Sequence, residues 1–182
     1  MLDLTAPAQT TEIAAVNPSV KIGKNRYGLR LLDRQFETSK RSGNPMIVFD
    51  YEVCRPNVIT VDGKQWTFGG YKLTHYLALT EKNVERIREF HKAHGISLDV
   101  VSKINPTAPD LEVYKKGLLV DAILGSEQYE ERTESITQPD GSIKLGELIL
   151  DDDGKPIIRF RGQIREFLGI SKLPPEVEAQ PF

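Results

Sequence analysis

Between Arg26 and Leu31 the chain alternates: Tyr27, Leu29 and Leu31 are apolar, whereas Arg26, Gly28 and Arg30 are not. A period of two sends successive side chains to opposite faces of an extended strand. This segment is therefore expected to bury one stripe and to carry arginines on the other. Within residues 46–53, Ile47, Phe49, Tyr51 and Val53 share a face in the same way. Between the two runs lies Ser39-Lys40-Arg41-Ser42-Gly43-Asn44-Pro45, a turn-forming cluster with two adjacent cations. Residues 21–53 thus read as a hairpin with a buried stripe, an arginine stripe and a basic turn. Such a surface suits a phosphate backbone, with aromatic rings for bases to stack on. The plain alternative is a hairpin whose charges are only solvated.

Beyond the hairpin, residues 58–61 read as extended, Asp62-Gly63 as a tight turn, and Trp66 and Phe68 as alternating strand positions. Residues 71–79 resume as a strand. Residues 80–94 carry Val84, Ile87, Phe90 and His91 at helical spacing, with Thr80 as the expected cap and Gly95 as the stop. Residues 118–124 read as a buried strand reaching toward Tyr129. Residues 145–150 and 156–161 flank the turn Asp151-Asp152-Asp153-Gly154, and residues 164–170 are expected to form a terminal helix. Three strand regions, a helix and two more strand regions make a mainly β chain with a mid-chain helix. That order predicts an OB-fold-like, five-stranded Greek-key barrel with terminal arms and an inserted hairpin. A β-sandwich is the rival architecture. The expected organisation is a flexible or loosely docked arm over residues 1–20, one domain over 21–170 with an insertion at about 130–156, and a mobile tail over 171–182.

Net charge is −2, which argues against a uniformly basic nucleic-acid binder, but the charge is unevenly spread. Residues 21–72 hold ten Lys and Arg against five Asp and Glu; acids dominate residues 110–153, and residues 155–172 are basic again. If the two basic blocks meet, they make one electropositive face on an acidic body. Cys54 is the only cysteine, so there is no internal disulfide and no paired-cysteine metal motif. A reducing, intracellular setting is the simplest expectation. The N-terminus lacks the layout of a secretory signal, and no apolar run is long enough for a membrane span. His91 and His94 lie on one helix and His75 on a strand, but no HExxH pattern accompanies them, so no metal is expected. Asp151, Asp152 and Asp153 read more simply as a turn than as a cation site or a metal-dependent nuclease centre. No phosphate-binding loop or nucleophile elbow is present, and no enzymatic activity or cofactor is expected.

RYGLRLL, SKRSGNPMIVFDYEV, LTEKNVERIREFHKAHGI and KKGLLVDAILGSEQY follow one another over residues 21–129. In this order the chain resembles bacteriophage single-stranded DNA-binding proteins of the OB-fold type, including uncharacterised phage proteins with an SK-SGNPM loop. The resemblance implies single-stranded DNA as partner, in replication or recombination, in the cytoplasm of the infected bacterium, and strand binding without catalysis. Pro181 and Phe182 match the Pro-Phe ending of bacterial counterparts, which would recruit partner proteins, although only Glu176 and Glu178 supply the acids expected before it. Oligomeric state stays open. The candidate cations are Arg26, Arg30, Lys40, Arg41, Lys64, Lys72, Lys115, Lys116, Arg159 and Arg161. The candidate rings are Tyr51, Trp66, Phe68, Tyr71, Tyr76 and Phe160, with Trp66 and Tyr76 first.

Overall fold

A computed structural model describes residues 13–101, 103–140 and 142–176. The alternating N-terminal run forms β1 (Asn25–Thr38) and, after the basic turn, β2 (Pro45–Arg55). A small hairpin follows, β3 (Val58–Val61) and β4 (Lys64–Thr67), then β5 (Lys72–Ala78). The β3–β4 turn is Asp62-Gly63, both at positive φ, as a tight two-residue hairpin turn requires. One 3-10 turn (Glu81–Asn83) leads into α1 (Val84–Ala93), and α2 (Leu98–Val101) is a single turn. Next come β6 (Leu119–Glu130), the two-residue strands β7 (Ile136–Thr137) and β8 (Ile143–Lys144), and β9 (Ile158–Ile170).

Five strands make one sheet in the order β5-β2-β1-β6-β9, with every neighbouring pair antiparallel. Four antiparallel steps separate the edges, so β5 and β9 run the same way. The edges also approach each other. The Gly162 amide of β9 donates to the Tyr71 hydroxyl beside β5 at 2.9 Å, and Phe167 packs against Tyr51 and His75. Among the described residues no ladder joins them, so the sheet curls strongly without closing into a barrel.

The inner face is the expected apolar stripe. Leu29, Leu31, Ile47, Phe49, Tyr51, Val53, Val120, Ala122 and Leu124 are all fully buried. Each large apolar side chain removed from water in this way contributes about 1.5–3 kcal/mol. Phe90 of α1 inserts from below, its ring 4.7 Å from that of Phe49. Two buried histidines, His91 of α1 and His94 just after it, are also paired. A carbonyl only accepts, so the Nδ1–H of His94 donates to the Phe90 carbonyl and its Nε2 accepts from the Tyr51 hydroxyl at 2.7 Å. His91 likewise donates to the Ile87 carbonyl and accepts from Tyr114 at 2.8 Å.

Several expectations need correction. Residues 164–170 are strand, not helix. β9 carries two bulges against β6, skipping Arg165 and Leu168, so that Ile164 and Phe167 face Leu124 and Ala122. Two extra residues turn a period of two into a spacing of three, which imitates a helix in the sequence. Thr80 does not cap the helix through its side chain; instead Asn83 donates to its hydroxyl at 3.1 Å. Of the two readings of the N-terminal arm, the docked one holds for its described part: residues 14–16 pair with Thr67, and Val20 and Ile22 are buried. Residues 1–12 lie outside the described residues. The beginning of the expected mobile tail is also held, with the Glu176 amide donating to the Cys54 carbonyl and its carboxylate accepting from the Asn57 amide.

Candidate nucleic-acid interface

The outer face of β5 is the part of the sheet that matches the sequence reading most directly. Lys72, Thr74 and Tyr76 are exposed in alternation with Leu73, His75 and Leu77, which point inward. Tyr76 is 57% exposed, more than any other tyrosine of the chain. Its cross-strand partner on β2 is Val48, and Thr74 donates to Asp50 at 2.8 Å. The β1–β2 turn lies at the Tyr76 end of this row, since the Leu79 amide donates to the Pro45 carbonyl. Lys40 and Arg41 project there into solvent. At the other end stands the β3–β4 hairpin, where the Lys64 ammonium sits 4.3 Å above the half-buried Trp66 ring. A flat ring, a hydroxyl and four cations thus follow one edge of the sheet from turn to hairpin.

The remaining cations divide by their partners. Arg30 is buried, 2.6 Å from Glu52. β1 is walled by β2 on one side and β6 on the other, so an outward residue at mid-strand is covered by its neighbours' side chains. Arg26 is exposed but bonded to Asp121, and Arg55 reaches the second oxygen of the same carboxylate at 2.6 Å. Burial pushes the Asp121 carboxyl up, but the bonds from Arg26 and Ser171 and the two guanidinium charges outweigh it and hold it below the usual range. Lys116 binds Asp33, Arg159 binds Glu131, and Arg161 binds Glu127. Lys40, Arg41, Lys64, Lys72 and Lys115 have no ion pair among the described residues. Glu127 and Glu131 therefore neutralise two of the three β9 arginines, Arg161 and Arg159, across the β6–β9 pairing.

The rings divide too. Tyr51 and Phe68 are core, with no exposed area. Tyr71 is half-buried against Phe68, and Phe160 is half-buried. Pro181 and Phe182 lie outside the described residues. Three side chains escaped the sequence reading. Arg55, at the end of β2, lies over Gly28 and completes the Asp121 cluster. Phe36 is exposed at the end of β1, and Tyr129 lies beneath Arg161 at 5.9 Å. Only Tyr129 had a sequence signal, an aromatic among charges on a strand.

The described residues contain no group of three or more His, Cys, Asp or Glu able to hold a metal ion. Asp151 spends its carboxylate on the amides of Asp153 and Lys155, as a turn residue does. His75 and His94 are held neutral: burial pulls each down to about 4, helped at His75 by the nearby Arg86 charge. Among the described residues no helix is long and apolar enough to cross a membrane. Comparison with protein families, curated proteins and solved structures finds no match to this chain.

Proposed function

We propose that this chain is a single-stranded DNA-binding protein of the OB type, coating DNA with little sequence readout in phage replication or recombination. The observation that carries the reading is the sheet order. A three-strand meander β1-β2-β5, a helix, then a hairpin β6-β9 that returns to the far side of β1, with like-directed edges approaching each other, supports the reading of a partly open OB barrel. In that fold ligands lie on the face of the second and third strands and against the loop joining the first two. Here those positions hold Tyr76, Thr74, Lys72, Lys40 and Arg41. Binding would combine counterion release at the free lysines and arginine with stacking on Tyr76, and Trp66 once Lys64 swings aside.

The test is an anisotropy titration of oligo-dT, duplex DNA and RNA of equal length. The reading expects oligo-dT to bind well above duplex and to weaken steeply with salt. Equal, weak binding to all three would overturn it. One observation favours a second reading, an OB-like protein-interaction module without nucleic acid: five of the ten candidate cations are already paired with carboxylates. The same titration separates the two readings.

A further inference from the structure

Residues 131–157 leave the sheet between β6 and β9 as a projecting arm. Its base is tied by three backbone bonds, from Glu131 to Ile157, from Ile149 to Glu131 and from Ile157 to Ile149, and β7 and β8 form its tip. The arm is unusual in what it exposes. Ile136, Ile143 and Leu145 are 66%, 56% and 65% exposed, and Leu150 is 51% exposed. Around them residues 131–157 carry seven acids against three cations. Glu134, Glu147, Asp152 and Asp153 have no ion pair among the described residues. An acidic ribbon that keeps several aliphatic side chains in water fits a surface that is apolar at its centre and basic at its rim.

The other end of the molecule offers an apolar surface with cations beside it, the one charged residue lining it among those described being Glu81. The register Asn25↔Leu124 sends β6 and its arm past the start of β1, whereas the β1–β2 turn lies past the end of β1. Beside that turn is an apolar groove of about 220 Å³, lined by Leu79, Val84, Ile87, Ile104 and Pro106 with Thr80 and Glu81. Val84 is 39% exposed there. The Leu79 amide bonded to Pro45 fixes the groove next to Lys40 and Arg41, and Lys103 adjoins Ile104. The arm's own groove lies at the far end of β1, so a second copy is the partner that brings the two surfaces together.

We infer that the arm of one copy docks in the groove of the next, its aliphatic side chains on Val84, Ile87 and Ile104 and its acids toward Lys40, Arg41 and Lys103. The contact is head-to-tail. Such an interface leaves a free arm and a free groove at the ends and extends into chains instead of stopping at a two-fold dimer. It leaves Tyr76 and Lys72 outside the contact but shares Lys40 and Arg41 with the proposed strand-binding surface, so bound DNA would compete with it.

The test is sedimentation velocity without nucleic acid, on the wild-type chain, on Leu145→Glu in the arm and on Val84→Glu in the groove. Both sites are exposed, and unchanged circular dichroism and melting would show that the variants fold. The wild type is expected to grow past dimer as concentration rises, and each variant alone to stay monomeric. An equimolar mixture of the two should form a dimer and no more, because only one intact arm and one intact groove remain per pair. A wild type that stays monomeric throughout overturns the inference. So does association that Leu145→Glu abolishes and Val84→Glu leaves intact, which would mean arm against arm.

Discussion

Gly162 holds the two sheet edges at their closest approach. A Cβ at this position would lie 2.8 Å from the Tyr71 ring and 2.9 Å from a Leu73 methyl, both on the opposite edge. Gly162→Ala is therefore expected to push β9 from β5 and to cost about 1–3 kcal/mol, as overpacking does. A denaturant titration checks this. Tyr76 is the opposite case, since its ring is exposed and its neighbours do not need it. Tyr76→Ala should leave the unfolding midpoint nearly unchanged while weakening oligo-dT binding by about 1–3 kcal/mol, the usual worth of one stacked base. Tyr51 shows why ring identity alone does not mark a site. It sits two residues from Phe49 on the same face of β2, and that shared parity buries both.

At the scale of elements, α1 is the plug of the curled sheet and its histidines set a pH limit. His75 and His94 have folded pKa values of about 4, below the ordinary 6.5 of an unfolded chain. The unfolded state then binds more protons between those values. The stabilisation is complete above pH 6.5 and is lost as pH falls through that window toward 4. For His94, whose ring is buried, the loss is on the order of 3 kcal/mol. His94→Gln should flatten the stability profile between pH 6.5 and 4, measured by urea unfolding at each pH. The elements were legible in sequence where one period held over a run of several residues, as in residues 26–31 of β1, residues 46–53 of β2 and β5, or one helical face recurred, as in α1. β9 was not, because its two bulges, visible only in the pairing with β6, turn its period of two into a helix-like spacing. The docked residues 14–22 were hidden for a related reason: Val16, Val20 and Ile22 have no repeat of their own and become buried only against other elements.

At the scale of the molecule, the basic blocks were visible in the sequence but their neutralisation was not. Pairing of Arg159 with Glu131, or Arg26 with Asp121, joins residues 28 and 95 positions apart. Counting the candidate cations that have no ion pair among the described residues gives five contacts. A single strand releases about 0.7 counterion per contact, so log affinity should fall with log salt with a slope near −3.5. A slope near −7 would mean that all ten cations take part and the carboxylates let go. The most direct test of where a strand lies is photocrosslinking of oligo-dT to the native protein, with the attached residues mapped by mass spectrometry. The account predicts crosslinks on the peptides bearing Tyr76 and Trp66, lost when unlabelled oligo-dT competes. Crosslinks confined to the arm or to the outer surface of α1, with none on β5, would contradict it.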